Sequence, residues 1–143
     1  MRALGLDLGS RRIGVAISDS DGRVATPITT LLRAKGRDRP ADHRAVAALV
    51  AEWGAEVVAV GLPLSLDGSV GPAAQAVLDE VAELARVLDV PVETVDERFT
   101  TVTADQQLRD GGVKGRDRTR MIDQAAAAVL LQAWLDRQET DHR

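Results

Sequence analysis

The sequence predicts an α/β fold built on a mixed five-stranded sheet, with three antiparallel strands followed by two parallel strands and helices packed on the sheet. Residues 3–19 hold two apolar runs joined by the short turn Gly9-Ser10-Arg11-Arg12, which is typical of an antiparallel hairpin. Residues 57–62 form a continuous apolar run between two stretches of helical periodicity, as expected of a buried parallel strand. Strands that alternate with helices need crossover connections, and these favour parallel pairing.

The remaining elements follow from local signals along the chain. Residues 24–32 are predicted to form the third strand, and Pro27 indicates an edge position because proline lacks an N–H to donate. Residues 33–40 are so polar and charged that we expect an exposed loop. The other predicted elements are helices at 42–53, 72–88, 100–110 (capped by Thr100 or Thr101) and 118–137, and a fifth strand at 91–97. We expect one domain over residues 1–138 and a frayed tail over 139–143.

The composition bounds the classes of protein. A chain of 143 residues with 45% hydrophobic content is long enough to bury a core without disulfides. It contains no cysteine, which excludes a disulfide scaffold and thiolate metal ligands. We see neither the apolar segment of a signal peptide nor a membrane span, and we therefore expect a cytoplasmic protein.

The basic residues are unevenly distributed. A net charge of −4 would argue against nucleic-acid binding if it were spread evenly, but eleven of the 18 basic residues lie in segments 11–12, 33–39 and 109–120. This segregation predicts a local positive surface suited to phosphate backbones, although a single basic loop is commonly no more than a solvated loop. Segment 33–39 follows the third strand, at the opposite edge of the sheet from the fifth, so we expect its cations to matter less.

Asp7 stands within the first predicted strand, where aspartate is disfavoured. A buried, unpaired carboxylate costs several kcal/mol, so Asp7 needs a neighbouring arginine, backbone N–H groups or a divalent cation. Gly5 and Gly9 flank it and carry no side chains. Their presence predicts room for a metal and a phosphate close to the backbone.

Two further acidic positions are expected at the same place. Asp96 and Glu97 end the fifth strand, whose carboxyl end lies at the same edge as that of the first strand. Asp123 heads a helical stripe, because the residues four, seven and eleven positions later are Ala127, Leu130 and Trp134.

Each acid taken singly has an ordinary structural interpretation, as the partner of an arginine, a helix cap or a residue stabilised by the helix dipole. Three acids at one sheet edge are harder to explain in that way. Oxygen ligands without cysteine, and with histidine only at positions 43 and 142, favour Mg²⁺ or Mn²⁺ over Zn²⁺. A pair of such ions is the usual device for hydrolysing a phosphodiester.

Four motifs carry a family resemblance: GLDLGSRRIGVAISD, GLPLSLDGSVGPAAQ, VDERFT and DQAAAA. Together they resemble the YqgF/RuvX family of pre-16S rRNA nucleases and Holliday junction resolvases, which has an RNase H-like fold related to RuvC. The resemblance covers essentially the whole chain, in order. It implies that Asp7, Glu97 and Asp123 form the acidic metal site, with Glu97 favoured over Asp96. Ser65 stands where the family usually has Asn, and Gln124 where Ser commonly follows the last Asp; both departures bear on substrate contacts.

The function implied is that of a metal-dependent endonuclease, with Asp7 bridging two Mg²⁺ or Mn²⁺ ions that Glu97 and Asp123 hold on either side. A metal-activated water would attack the phosphorus. The cations expected to hold the nucleic-acid backbone are Arg11, Arg12, Lys114, Arg116 and Arg118, and Arg98 would support the site from beside Glu97.

The substrate and the competing functions stay open at this point. The resemblance favours the 5′ end of the precursor of the small-subunit rRNA. The alternative is a four-way DNA junction, which needs two active sites related by a two-fold axis; we therefore expect a monomer, or a homodimer for a resolvase. DLGSRRIGVA also resembles the first phosphate loop of actin- and Hsp70-like ATP-binding proteins, but their duplicated domain is missing from 143 residues. A non-catalytic nucleic-acid-binding module is the third alternative.

Overall fold

A computed structural model describes residues 1–98 and 115–141, and within the second range it describes the side chains of residues 121–139. The helix expected to end at Asp110 lies outside the described residues. The strands are β1 (Ala3–Leu8), β2 (Arg12–Ser18), β3 (Ala25–Leu32), β4 (Val57–Leu62) and β5 (Val92–Asp96). The helices are α1 (Arg39–Trp53), α2 (Pro72–Val87) and α3 (Gly115–Asp141). Helix α3 continues to Asp141, and the single domain over residues 1–138 with a frayed tail over 139–143 stays a prediction.

The five strands form one mixed sheet in the order β3-β2-β1-β4-β5. The β1–β2 and β2–β3 pairs are antiparallel, and the β1–β4 and β4–β5 pairs are parallel. This confirms the predicted sheet. Pro27 lies on the edge strand β3 as expected, beside a bulge in which Ile28 is the extra residue between the pairs Val15–Thr29 and Ala16–Pro27.

The two faces of the sheet differ in side-chain size. Large aliphatic residues such as Leu6, Val15 and Val58 face α1 and α2 and form the main core. The opposite face carries small residues along three adjacent strands, namely Gly5, Gly14, Ala16, Ala59 and Gly61. Helix α3 therefore lies very close to the sheet: a Cβ added at Gly5 would lie 2.7 Å from the Cβ of Leu131.

The basic segment 33–39 departs from its predicted exposed position. The Arg33 side chain is only 15% exposed, and its guanidinium donates to both carboxylate oxygens of Glu80 at 2.6 and 2.9 Å. Its Nε donates to the Gly9 carbonyl at 3.0 Å, and its backbone N–H donates to the Arg11 carbonyl at 2.9 Å. β3 runs parallel to β1, because each is antiparallel to β2. The segment therefore starts at the same end of the sheet as Asp7, and describing all of it as an exposed loop is wrong.

Helix α1 begins at Arg39, three residues earlier than the sequence predicts, because the Asp38 carboxylate caps it by accepting from the Ala41 N–H at 3.1 Å. Gly54 ends the helix in the left-handed conformation with φ 63°, as its sequence position predicts. Within residues 1–98 and 115–141, no helix combines the length and the apolar character needed to cross a bilayer.

Candidate active site at the carboxyl edge of the sheet

Asp7 lies near the end of β1, on the face covered by α3, and is paired in register with Gly14 of β2. Partial burial raises the pKa of its carboxyl to about 6, and the negative charge of Asp123 adds to that increase. Because burial disfavours the charged form of this carboxyl, the packing of the fold keeps Asp7 in a place where its charge is poorly solvated.

The glycines beside Asp7 have other roles than the one predicted. A Cβ at Gly5 would strike α3 at Leu131, so the space above Gly5 is filled by helix. A Cβ at Gly9 would lie 2.7 Å from the Arg12 carbonyl, to which the Gly9 N–H donates at 2.9 Å. These glycines serve helix packing and the tight turn, and the expectation that they leave room for a metal and a phosphate is wrong.

Asp123 lies eight residues beyond the first residue of α3, and its main chain rests on Gly14. Ala127, Leu130 and Trp134 are all buried, which confirms that Asp123 heads the stripe facing the sheet. Its Oδ2 is buried and has no hydrogen-bond partner in the part of the chain that the structure describes. Burial raises the pKa of the Asp123 carboxyl, and the positive charge of Arg12 opposes this rise.

Glu97 immediately follows β5 and reaches over β4. A Cβ at Gly61 would overlap Oε2 of Glu97 and would lie 2.8 Å from Cδ2 of Leu130, so the Glu97 carboxylate lies on the α3 face. Burial raises its pKa to about 7, with further contributions from the negative charges of Asp7 and Asp96. The absence of a side chain at Gly61 is what makes room for this carboxylate.

Asp96, the neighbouring acid, is neutralised by an ion pair. Its Oδ2 lies 2.7 Å from Nη2 and 2.8 Å from Nε of Arg98, and these hydrogen bonds lower the pKa of the Asp96 carboxyl. Arg98 also donates from Nη1 to the Leu66 carbonyl at 3.3 Å, which joins the end of β5 to the loop of residues 64–71. The structure therefore brings Glu97, and not Asp96, to the face that carries Asp7.

The predicted phosphate-binding cations fall into three groups. Arg12 is partly buried close to Asp123, and its Nε has no hydrogen-bond partner among the described residues. Arg11 is exposed at the turn between β1 and β2. Lys114 lies outside the described residues, and Arg116 and Arg118 belong to the described backbone of α3 but not to the described side chains. Phosphate contacts by all five of these residues stay predictions.

The electrostatics of the three carboxylates bear on metal binding. Within the described residues, no three acidic or histidine side chains are close enough together to surround one ion. Asp7 is nevertheless coupled to both of its neighbours, since Asp123 raises the pKa of Asp7 and Asp7 raises the pKa of Glu97. Raised pKa values and the unpartnered Oδ2 of Asp123 mark negative charge that nearby protein groups do not neutralise. This oxygen-only donor set fits a hard divalent cation.

Sequence reasoning missed two features of this region. The first is the set of small residues Gly5, Gly14 and Gly61, whose shared face could have been found from their alternation with large residues along three strands. The second is the buried ion-pair cluster of Arg33, Asp42, His43 and Glu80. Its members come from three separate elements, and no local pattern in the sequence joins them.

Comparison with known proteins places the chain in a family. Residues 1–137 match the model of the RuvX family, described as Holliday junction resolvase. The chain belongs to the RuvX family. It is 48% identical to the "Putative pre-16S rRNA nuclease" of Mycobacterium ulcerans, over 97% of this chain and 81% of that protein. It is 50% identical to the protein of the same name from Streptomyces coelicolor, over 99% of this chain and 84% of that one.

The fold has counterparts among solved structures. RuvC of Thermus thermophilus superimposes with a TM-score of 0.57 at 17% identity over 98% of both chains. The fowlpox virus Holliday junction resolvase gives 0.56 at 13% identity over 96% of this chain and 99% of the other. These likenesses confirm the predicted RNase H-like fold. Membership of the RuvX family confirms the resemblance drawn from the four motifs and the assignment to the phosphodiester-hydrolysing nucleases.

Proposed function

We propose that this RuvX protein is a metal-dependent endonuclease that cleaves the 5′ region of the precursor of 16S rRNA, with Asp7, Glu97 and Asp123 as its catalytic carboxylates. One observation carries the proposal: three acids from β1, the end of β5 and α3 share one face at the carboxyl edge of the sheet, each with a raised pKa. The names of the relatives support the rRNA substrate. Such a substrate is consistent with the cytoplasmic location expected from the sequence.

Two Mg²⁺ or Mn²⁺ ions are the proposed cofactors, and Asp7, Glu97 and Asp123 are the residues that would hold them. The mutual effects of these carboxylates support the proposal, since Asp123 raises the pKa of Asp7 and Asp7 raises the pKa of Glu97. Bound cations of this kind supply Lewis-acid stabilisation of the phosphoryl oxygens and lower the pKa of a bound water.

The chain's own residues position the substrate and hold the carboxylates. Arg12 lies next to Asp123, where its positive charge attracts a phosphate into the site. The ends of the strands and the closely packed α3 leave the carboxylates little freedom to move. Gly14 allows the main chain of Asp123 to lie against the sheet, and Gly61 allows the same for the side chain of Glu97. Arg98 supports the site from beside Glu97, and its Nη1 donates to the Leu66 carbonyl in the adjacent loop. Arg11, Lys114, Arg116 and Arg118 are proposed to contact the backbone on either side of the scissile bond.

Isosteric variants test the assignment. Asp7→Asn, Glu97→Gln and Asp123→Asn should each reduce cleavage of a pre-16S rRNA fragment to background, at saturating Mg²⁺ and at saturating Mn²⁺. Asp96→Asn is the matched control, because it removes a carboxylate one residue from Glu97 whose charge Arg98 already neutralises. Wild-type rates in any of the three variants would remove that residue from the site, and loss of activity in the control alone would replace Glu97 with Asp96.

A second candidate substrate is the four-way DNA junction, favoured by the description of the family. Clean resolution needs two active sites related by a two-fold axis, so the proposed state is a homodimer for junction cleavage and a monomer for rRNA cleavage. Side-by-side assays on both substrates, combined with analytical ultracentrifugation, separate the candidates. Symmetric cleavage of the junction by a dimer, with no cut in the rRNA, would reverse the proposed preference.

A further inference from the structure

We propose that Arg11, Lys35 and Arg37 form a second phosphate-binding surface, here called the outer basic surface, at the same sheet edge as Asp7 but on the side of α1 and α2. The inference rests on the proposed nuclease function and deepens it, because it names where the phosphodiester backbone of the substrate continues beyond the carboxylates. It also reverses the expectation that segment 33–39 matters little for binding.

The first support is the attachment of segment 33–39 to the turn that follows Asp7. The Arg33 backbone N–H donates to the Arg11 carbonyl at 2.9 Å, and its Nε donates to the Gly9 carbonyl at 3.0 Å. Both bonds tie the start of the segment to the turn between β1 and β2. The chain that carries the exposed Lys35 and Arg37 therefore leaves from the turn that carries the exposed Arg11, at the end of the sheet that holds the candidate active site.

The second support is the placement of the neighbouring acids. Asp42 and Glu80 are 6% and 3% exposed, and both pair with Arg33. Glu80 additionally lies 2.8 Å from Nε2 of the buried His43. These two acidic charges are therefore neutralised inside the protein and contribute little to the potential at the surface above them.

The solvent-facing charges of the segment leave a positive excess. Arg39 pairs with Glu83 at 3.2 Å in a half-exposed contact, and Asp38 caps α1 through the Ala41 N–H. Lys35 and Arg37 have no ion-pair partner within 4.0 Å among the described residues. Together with Arg11 they outnumber the one exposed acid of the segment.

The third support is the backbone that presents these cations. Residues 35–37 form one turn of 3₁₀-helix with Gly36 at φ 71° and Arg37 at φ 57°. A left-handed conformation is uncommon for a residue with a side chain, and such residues cluster at binding sites. Here it lets a three-residue turn display Lys35 and Arg37 outside while Arg33 and Arg39 remain paired to the body of the protein.

The fourth support is the groove that this turn borders. A cavity of about 430 Å³ lies between the β1–β2 turn and α2, lined by Ser10, Arg37, Arg39, Pro63 and Ala73 among others. Its size admits a sugar-phosphate unit. Its inner wall contains the Arg33–Glu80 pair, which holds the shape of the groove before any ligand arrives. The chemistry of this surface suits a phosphodiester backbone, because point charges at its rim recognise phosphate without reading bases.

Salt titration of binding tests the inference. The test variant is Lys35→Gln/Arg37→Gln, and the matched control is Arg23→Gln/Arg86→Gln, which removes two exposed cations at the opposite end of the sheet. Binding is measured in Ca²⁺ with a labelled RNA hairpin and, separately, with a four-way DNA junction. The test variant should lose about 0.7–0.9 from the log–log slope for each phosphate contact removed, and the control should match the wild type.

Each outcome decides something. A reduced slope on RNA alone or on the junction alone supports the outer basic surface and identifies which nucleic acid follows it. A slope equal to that of the wild type, or equal losses in test and control variants, overturns it. Cleavage assays of Asp7→Asn are run in parallel, so that failure of the nuclease proposal is seen separately from failure of this surface. If the double variant does not unfold cooperatively, the single variant Lys35→Gln replaces it, because Lys35 is not one of the residues with a left-handed backbone. Its log–log slope should fall by the amount expected for one phosphate contact.

Discussion

Gly14 of β2 lies directly beneath the main chain of Asp123 in α3, so closely that a Cβ at Gly14 would overlap the Asp123 carbonyl. The position of a candidate catalytic carboxylate is thus set by a residue with no side chain on a different element. The same relationship links Gly61 to Glu97. Two of the three acids owe their places to glycines on the small-residue face of the sheet.

Gly14→Ala should therefore damage both stability and activity. The added methyl group must push α3 away from the sheet, and overpacking of this kind typically costs about 1–3 kcal/mol of unfolding free energy. Displacement of Asp123 should lower cleavage well beyond the effect on the folded fraction. Gly71→Ala is the control, since among the described residues a Cβ there meets only Ser65 Oγ, at 3.2 Å, and φ is −87°. Equal activity in the two variants would show that contact with Gly14 does not position Asp123.

Asp7→Asn should stabilise the metal-free protein at high pH. The pKa of Asp7 is about 6 in the folded protein against an ordinary 3.8, so the folded state binds this proton more tightly than the unfolded state. The free energy of unfolding of the wild type therefore falls as pH rises between these values and stays lowered above them. At pH 8 in EDTA we expect the variant to be more stable by about 1–3 kcal/mol, and at pH 4 nearly equal. Urea unfolding at both pH values measures this, and a stability gain that is the same at both would contradict it.

Metal affinity should rise with pH and then level off. Asp7 and Glu97, with pKa values of about 6 and about 7, must lose protons before they bind a cation. Calorimetric titration with Mn²⁺ should show an apparent affinity that increases between pH 5.5 and pH 7.5, with proton release in the lower part of that range. Asp96→Asn should keep the rise but shift its upper part to lower pH, because the Asp96 charge contributes to the raised pKa of Glu97. Glu97→Gln should lose that upper part. An affinity that is flat across the range would exclude these carboxylates as ligands.

Glu80→Gln should be strongly destabilising although Glu80 lies outside the candidate active site. Burial opposes ionisation of Glu80, but hydrogen bonds from Arg33 and His43 lower the pKa of its carboxyl overall. Neutralising it leaves the largely buried Arg33 with Asp42 alone, and losing one partner of a buried pair costs about 3–5 kcal/mol. Glu83→Gln, which breaks the half-exposed pair with Arg39, should cost less than about 1 kcal/mol. Thermal unfolding compares the two variants. Similar losses of stability would mean that the buried pair of Glu80 contributes no more than the half-exposed pair of Glu83.

The wild type should also lose stability in acid through Glu80. Because the folded-state pKa of Glu80 is lowered, its contribution is present above the ordinary value of 4.5 and disappears as pH falls through the folded-state value. Glu80→Gln should flatten this part of the stability curve. Unfolding free energies of wild type and variant that converge as pH drops from 5 to 3 are the expected result, and a constant difference would contradict it.

The sequence by itself determined the elements whose signals are local. Alternation of large and small residues in residues 3–19 predicted the hairpin, and the apolar run at 57–62 predicted β4 at its observed bounds. The spacing from Asp123 to Trp134 predicted the buried face of α3. These patterns are readable because hydrophobic burial imposes a period of two on strands and about 3.6 on helices, whatever the rest of the chain does.

Only the tertiary structure decided which acid of the pair Asp96 and Glu97 lies on the α3 face with Asp7, and which charges are buried. Residue reasoning left Asp96 and Glu97 equivalent; the ion pair with Arg98 and the open space at Gly61 separate them. Arg33 looked like a surface cation until Asp42 and Glu80 were seen to enclose it. The physical reason is the same in both cases: the free energy of a charge depends on partners and burial supplied by distant parts of the chain, and no local period encodes them.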